Sequence, residues 1–225
     1  MRTKAIILKK QATNEHDQLI TCYTEEFGKI TAVAKSVLKP GSIQAMHLDV
    51  FNLVDFELIS GRGTPIIAGA QAEQTYPDLK NNLQCLSVAY FFAETADKLF
   101  FEYQKDEALW DFFVELLGEL NHGHHGNDHG AHGFLRDKQI EFLNLLGYAP
   151  NLGECASCAV PIVGQMMAYS VEARGAICQQ CFLGGMRGMI VKNNDILSSA
   201  FLATVFEGLI EKKLYSLNFI KSMLE

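Results

Sequence analysis

Four cysteines in the last third of the chain have the spacing of a metal site. They form two pairs, Cys155-Ala-Ser-Cys158 and Cys178-Gln-Gln-Cys181, with 19 residues between the pairs. A gap of two residues lets one tight turn present both sulfurs to a single tetrahedral ion, and a second such turn completes the shell. The spacing predicts one zinc ion bound by all four cysteines. Four sulfurs leave no open position for water, which indicates a structural ion.

The sequence offers little that indicates catalysis. It has no Gly-rich phosphate-binding loop, no G-x-S-x-G elbow and no H-E-x-x-H helix. Glu15-His16-Asp17 places a histidine between two carboxylates, but such a run is more typical of a polar hairpin turn than of a catalytic base. A redox dithiol needs one C-x-x-C at a helix start, whereas this chain has two at ribbon spacing. We expect a binding protein that is not an enzyme and takes no small-molecule substrate.

Residues 121–133 form a His- and Gly-rich tract that contains five of the seven histidines. Imidazoles bind nickel, copper or zinc, so this tract can bind metal weakly. Its glycines loosen the backbone and fix no ligand geometry, so a solvated linker is the favoured interpretation. In the alternative, the tract and the cysteines serve metal transfer, and the chain is a metal-handling protein.

Composition indicates a protein that works inside the cell. Hydrophobic residues make up 48% of the 225 residues, and no stretch approaches the roughly 18 apolar residues of a membrane span. The first apolar run is cut off by Lys9 and Lys10 and is too short for a secretory signal. Cys22 and Cys85 lie in apolar patterns that are typical of buried free thiols. We expect a cytoplasmic location and no membrane contact.

Basic residues concentrate at the N-terminal end. A net charge of −7 argues against a protein that grips nucleic acid over its whole surface. Residues 1–44 nevertheless carry seven basic and four acidic side chains, whereas residues 81–154 carry four basic and twelve acidic ones. The candidate phosphate contacts are therefore Arg2, Lys4, Lys9, Lys10, Lys29, Lys35 and Lys39.

The first 78 residues have the alternation and the β-branched residues of strands. A Pro-Gly pair after the third strand opens a stretch that can hold a turn of helix. Five strands in about 75 residues indicate a small closed barrel, of which the OB type is the commonest nucleic-acid-binding form. The predicted strands are Lys4–Lys10, Gln18–Thr24, Lys29–Lys35, His47–Ser60 and Pro65–Gln74.

From residue 79 the apolar spacing becomes helical, and the zinc module at about 150–185 interrupts the helices. The predicted fold class is therefore α+β and multi-domain: an OB-type barrel (1–78), then a helical domain (79–225) with a four-cysteine zinc-ribbon insertion. Short strands are predicted at Val160–Val163 and Met166–Tyr169. The predicted helices are Leu83–Phe101, Ala108–Leu120, Phe134–Leu146, one capped by Asp195 that runs to about Ile210, and Leu214–Leu224.

Two sets of residues share their order and spacing with a known family. The first set is Glu15, Asp17, Leu19-Ile20-Thr21, Tyr23-Thr24, Phe27-Gly28-Lys29, Ala34-Lys35 and Ser42. The second set is Leu146-Gly147-Tyr148, Pro150, Leu152, the four cysteines and Gly175. Together they resemble RecO, a family of bacterial DNA repair and recombination mediators, and the resemblance covers nearly the whole chain.

The resemblance implies non-catalytic work on DNA in the bacterial cytoplasm, associated with the nucleoid. RecO-like proteins bind single- and double-stranded DNA and anneal complementary strands. With the partner RecR and single-strand-binding protein they help load RecA at gaps. Barrels of this type also bind RNA, so an RNA-binding zinc-ribbon protein is a further alternative.

Within the barrel, Tyr23 and Phe27 offer rings for base stacking, although core packing is the favoured interpretation of each ring taken singly. One departure from the family concerns the loop after the third strand. The family usually has a glycine and a basic run there, whereas this chain reads Ser36-Val37-Leu38-Lys39. Because DNA affinity grows with the number of neutralised phosphates, we expect weak intrinsic binding and more reliance on partners.

The resemblance also implies that the helical domain docks the acidic, aromatic-ended tail of single-strand-binding protein. Such a tail needs an apolar slot with a rim of cations. The candidate rim residues are Arg136, Lys138, Arg187, Lys212 and Lys213.

Overall fold

The computed structural model describes residues 1–59, 63–123, 130–162, 168–190 and 198–224. Within these ranges, no helix has both the length and the apolar character needed to cross a membrane. The chain forms two units, one of Met1–His125 with Leu214–Glu225 and the other of Gly126–Lys213. The predicted domains 1–78 and 79–225 follow a different division, and they stay predictions.

The first unit contains the predicted five-stranded, OB-like barrel. Inward-facing side chains such as Ile7, Ile20 and Ile30 form its buried core, because alternate residues of a strand point to the same face. The strands are β1 (Arg2–Ala12), β2 (Gln18–Thr24), β3 (Gly28–Ala34), β4 (Leu53–Ile59) and β5 (Ile66–Gln74). They close in the order β1-β2-β3-β5-β4.

The barrel closes through a short contact between β3 and β5. Among the described residues, these strands pair in parallel at two positions, Val33 with Ile66 and Ala34 with Ile67. The first half of β3 instead meets a later part of the chain, where Lys29 forms a bridge with Glu102. The chain around Glu102 therefore supports the edge of β3 that β5 does not cover.

The fourth strand begins later than the sequence predicts. A strand over His47–Ser60 is predicted, but β4 begins at Leu53, and Ser60 lies outside the described residues. The Asn52 amide donates hydrogen bonds to the carbonyl oxygens of Met46 (3.1 Å) and His47 (2.9 Å) and holds a turn. Leu48 enters the barrel core from that turn, so the alternation that begins at Leu48 does not reflect a pleated strand. The predicted turn of helix is confirmed as α1 (Gln44–His47).

The predicted helices are present with small shifts at their ends. In the first unit, the Asn82 side chain accepts hydrogen bonds at the start of α3, and Asp106 does so at the start of α4. The described helices after α1 are α2 (Pro77–Asn81), α3 (Leu83–Leu99), α4 (Glu107–His122), α5 (Gly130–Leu145), α6 (Gln179–Leu183), α7 (Ser199–Ile210) and α8 (Ser216–Leu224).

The second unit combines α5 and α7 with a small sheet. The Phe142 and Phe206 rings stack with their centroids 5.9 Å apart and join the two helices. Ser198 caps α7 by accepting from the Phe201 N–H, whereas the predicted cap, Asp195, lies outside the described residues. The sheet strands are β6 (Asn151–Cys155), β7 (Ala168–Ser170), β8 (Gly175–Ile177) and β9 (Met189–Ile190), in the order β6-β8-β7-β9.

The two short strands predicted inside the zinc module are only partly described, because residues 163–167 lie outside the described ranges. In the first of them, Pro161 makes a single bridge with Glu154 and no longer strand is formed by residues 160–162. The second predicted strand, Met166–Tyr169, overlaps β7, which begins at Ala168.

A glycine is required where β3 meets the chain after α3. Gly28 has a φ of +68°, and a Cβ there would overlap the Gln104 backbone carbonyl. We expect Gly28→Ala to lower the free energy of unfolding by about 3 kcal/mol or more, the sum of left-handed strain and overpacking. Urea unfolding followed by the fluorescence of Trp110, the single tryptophan, measures the change in the same unit.

Gly41→Ala is the matched control, because Gly41 has a φ of +82° and open space around its Cα. This variant has the left-handed strain without the overlap, so we expect it to lower the free energy of unfolding by about 1–2 kcal/mol. If both variants lowered the free energy of unfolding equally, the overlap with Gln104 would not contribute to the effect of Gly28→Ala.

Candidate functional site

The four predicted metal ligands lie together in the second unit. Their sulfur atoms are all within 4.8 Å of one another, and the Sγ atoms of Cys158 and Cys178 are 3.8 Å apart. Zinc–sulfur bonds of about 2.3 Å give a tetrahedron with edges of about 3.8 Å. The donor type and the spacing therefore fit a tetrahedral thiolate site.

Two closed turns position the sulfurs. Cys155 ends β6, and its carbonyl oxygen accepts from the Ala159 N–H at 2.8 Å, which closes the first turn. Cys178 precedes α6, and its carbonyl oxygen accepts from the Phe182 N–H at 3.0 Å, which closes the second. Cys181 lies inside α6. Each pair is thus presented by a single turn, as the two-residue gap predicts.

Close packing of the sulfurs separates the pKa values of their thiols. Burial raises the pKa of Cys155, but backbone N–H groups from both turns donate to its sulfur and bring the pKa down to about 6. The Ser157 hydroxyl lowers the pKa of Cys181, whereas the neighbouring sulfurs and burial raise it, to about 12. A divalent cation at the centre favours all four thiolates at once, so this donor set is suited to such an ion.

Most of the predicted phosphate contacts are engaged within the protein. Four of the seven pair with acidic side chains of the first unit. A phosphate would have to compete with a carboxylate at each of these cations, so each contact would contribute less to the free energy of DNA binding. The pairs are Arg2–Asp55 (2.6 Å), Lys4–Glu73 (2.9 Å), Lys9–Asp97 (2.9 Å) and Lys10–Asp49 (2.7 Å).

Lys29 is largely buried, which disfavours a DNA contact, and its place among the candidates stays a prediction. Its exposed fraction is 8%, and its Nζ donates to the Asp97 carbonyl oxygen at 2.6 Å. Burial lowers the pKa of Lys29, and the carboxylates of Asp97 and Glu102 oppose that shift. Asp97 lies in the last turn of α3, where carbonyls have no helical partner and a cation is favourable. Lys29 therefore stabilises the end of a helix.

Lys35 and Lys39 remain available. Both side chains are exposed, and among the described residues neither forms an ion pair within 4.0 Å. They lie directly after β3, in the loop that departs from the family pattern. They are therefore the two members of the predicted set that are both exposed and outside an ion pair, and phosphate binding by them stays a prediction.

The two rings considered for base stacking, Tyr23 and Phe27, pack against other side chains of the first unit. Tyr23 is 1% exposed, and its ring lies 5.6 Å from that of Phe100 and 5.5 Å from that of Phe113. Phe27 is half-buried against the barrel core. Core packing, the favoured interpretation, is what the structure shows for Tyr23.

Glu15-His16-Asp17 forms the polar turn between β1 and β2. The Asp17 carboxylate accepts from the Asn14 amide (3.0 Å) and the Ser36 N–H (2.6 Å). These two hydrogen bonds lower the pKa of Asp17. The carboxylate therefore ties the hairpin to the loop after β3, in agreement with the structural interpretation of this run.

A cavity of about 730 Å³ in the second unit contains three of the candidate rim residues, Arg187, Lys212 and Lys213. Arg174 also lines it, with its guanidinium carbon 4.1 Å from the centre of the Tyr148 ring. Arg174 could not be found from sequence, because the turn between β7 and β8 that carries it gives no binding signal.

The other two rim candidates do not line this cavity. Arg136 pairs with Asp137 at 2.8 Å, and Lys138 is largely buried and pairs with Glu141 at 3.1 Å. Residues 124–129 of the His-rich tract lie outside the described residues, so metal binding by the tract stays a prediction.

Comparison with known proteins identifies the family. The model of the N-terminal part of recombination protein O matches residues 1–76, and that of its C-terminal part matches residues 80–210. The DNA repair protein RecO of Dehalococcoides mccartyi is 33% identical over 183 residues, which cover 80% of this chain and 69% of the relative. That of Desulfitobacterium hafniense is 26% identical over 208 residues, which cover 92% and 74%. With both halves matched, the chain belongs to the RecO family.

Proposed function

We propose that this protein is a DNA repair and recombination mediator. It binds single- and double-stranded DNA, anneals complementary strands and, with RecR and single-strand-binding protein, helps load RecA at single-strand gaps. It acts as a binding protein without catalysis of its own, in the bacterial cytoplasm at the nucleoid. The observation that carries this proposal is the closed five-stranded barrel in a chain that RecO models match over both halves.

Strand annealing tests this function directly. Complementary single strands are mixed with the full chain across a salt series, with and without single-strand-binding protein, and duplex formation is followed by fluorescence. We expect acceleration that fades as salt rises, because phosphate contacts are lost. No acceleration at low salt by folded protein would contradict the DNA part of the proposal. Preferential annealing of RNA would favour the RNA-binding alternative.

Lys35 and Lys39 are the lysines whose replacement should lower the affinity for DNA. We expect Lys35→Gln with Lys39→Gln to weaken single-strand binding and to reduce the slope of log affinity against log salt by about 0.7 per lost contact. Lys4→Gln is the control, because Lys4 is already paired with Glu73 and should change the slope less. Fluorescence anisotropy measures both.

A larger effect of Lys4→Gln than of the double variant would contradict this assignment. Two free lysines also imply weak binding by the unmodified protein. A submicromolar affinity that persists at about 200 mM salt would show that other contacts dominate.

We further propose that the cysteine site holds one structural zinc ion. Zinc would fix the two turns relative to each other and so stabilise the module around the small sheet. Cys178→Ser should lower the zinc content below one ion per chain and the melting temperature, because binding free energy at such a site is folding free energy. Elemental analysis and calorimetry measure the two effects.

Cys85→Ala is the control for the zinc prediction, because it removes a buried thiol of α3 that is not part of the four-cysteine site. Its zinc content should equal that of the unmodified protein. Full zinc content in Cys178→Ser would contradict the assignment of this ligand.

The cationic cavity is the proposed dock for the acidic, aromatic-ended tail of single-strand-binding protein. Its tyrosines offer apolar walls. Four cations and three carboxylates line it and leave a net positive charge for an acidic tail: Arg174, Arg187, Lys212 and Lys213 against Glu172, Glu207 and Glu211. Arg187→Gln with Lys212→Gln should weaken the binding of a synthetic tail peptide about tenfold, whereas Arg136→Gln should leave it unchanged. Titration calorimetry measures the affinities, and an absence of binding to the unmodified protein would refute the proposal.

A further inference from the structure

Two large aromatic side chains lie exposed in the connection between α3 and α4. Phe101 is 74% exposed and Tyr103 is 60% exposed. The other rings of this connection and its surroundings, such as Phe100 and Phe113, pack against the buried Tyr23. Two exposed rings on one short connection are candidates for contact with a ligand.

Tyr103 lines a depression of about 430 Å³ on the barrel. The depression lies where β3 and β5 diverge, because these strands pair at Val33 and Ala34 in the part of β3 farther along the chain. Its other walls come from β2, from β3, from the residue before Tyr103 and from the chain that enters β5. They are Leu19, Thr31, Glu102, Gly63, Thr64 and Pro65.

The chemistry of these walls selects the kind of ligand. The Glu102 carboxylate repels phosphate, so a nucleic-acid backbone is unfavourable inside the depression. The Thr31 hydroxyl already donates to one oxygen of this carboxylate, so the second oxygen and the Thr64 hydroxyl are the groups that can hydrogen-bond the edge of a base. The ring of Tyr103 and the half-buried side chain of Leu19 supply apolar contact for a base face. A base fits these groups, and its phosphates would lie outside.

We propose that this depression receives a base of single-stranded DNA, stacked on Tyr103, with Phe101 as an exposed ring for a neighbouring base. The inference rests on the proposed function, since it assigns base-contacting residues to a DNA-binding barrel. It places stacking on the connection after α3 and not on Tyr23 of β2 or Phe27 of the turn between β2 and β3.

Hydrogen bonds to β3 hold Glu102 and Tyr103 in place before any ligand binds. The Tyr103 N–H donates to the Lys29 carbonyl oxygen at 2.9 Å, and the Thr31 hydroxyl donates to Glu102 at 2.6 Å. Tyr103 also has a φ of 61°, a left-handed conformation that is uncommon for a bulky residue. A tyrosine kept there against its backbone preference is consistent with a binding role.

The test compares Tyr103→Asn with Tyr103→Phe in the full chain. Asparagine adopts the left-handed conformation readily, so this variant removes the ring without adding backbone strain. Phenylalanine retains the ring. Tyr215→Asn is the control for loss of an exposed ring, because Tyr215 is 75% exposed at the start of α8. Unfolding followed by Trp110 fluorescence confirms that each variant is folded.

Two probes separate base contacts from phosphate contacts: a short single-stranded oligonucleotide, and an abasic strand of equal length. The unmodified protein should bind the base-containing strand more tightly. Tyr103→Asn should weaken that binding about fivefold or more, leave the abasic strand unaffected and leave the salt slope unchanged, because stacking neutralises no phosphate. Tyr103→Phe and Tyr215→Asn should bind as the unmodified protein does.

The outcomes distinguish this inference from the function on which it rests. If the unmodified protein binds both strands equally, or if Tyr103→Asn changes neither affinity, the stacking site is refuted while DNA binding stands. If the unmodified protein binds neither strand at low salt, the DNA part of the proposed function fails, and the inference fails with it.

Discussion

The attachment of the β2–β3 hairpin to the connection between α3 and α4 is the constraint on which the first unit depends. The Lys29 ammonium donates to a carbonyl in the last turn of α3, and its own carbonyl accepts from Tyr103. Gly28 lets the Gln104 backbone approach closely. Tyr23 packs its ring on Phe100 and Phe113. These contacts fill the edge of β3 that β5 leaves unpaired, so the barrel and the first helices are built as one unit.

The same attachment decides which side chains near β3 are buried and which are exposed. It buries Lys29 and Tyr23, which sequence alone makes attractive as a phosphate contact and a stacking ring. It also presents Phe101 and Tyr103 to solvent beside the barrel. One packing arrangement therefore buries Tyr23 and Lys29 and leaves Phe101 and Tyr103 exposed. A long-range contact of this kind carries no local pattern, because its partners are about 75 residues apart in sequence.

Most basic side chains of the barrel's first strand are engaged in ion pairs. Four basic residues of β1 pair with acidic residues elsewhere in the first unit, and Lys80 shares Asp49 with Lys10. Burial raises the pKa of Asp49, but the two ammonium groups outweigh burial and lower it, so the carboxylate stays ionised near neutral pH. The basic excess of residues 1–44 therefore supplies few free cations. A count along the chain overestimates the surface that is open to phosphate.

What the sequence determined by itself is local. The two-residue cysteine spacing predicted the ligand set, because a turn of fixed length fixes the sulfur positions. Alternation and helical periodicity predicted the barrel and the main helices to within a few residues, and the error at His47–Ser60 arose where a turn imitates a strand. Tertiary structure alone decided which lysines are free, which rings are buried and where Arg174 lies. Those properties depend on residues that are far apart in the chain, and burial and ion pairing are set only when the elements pack.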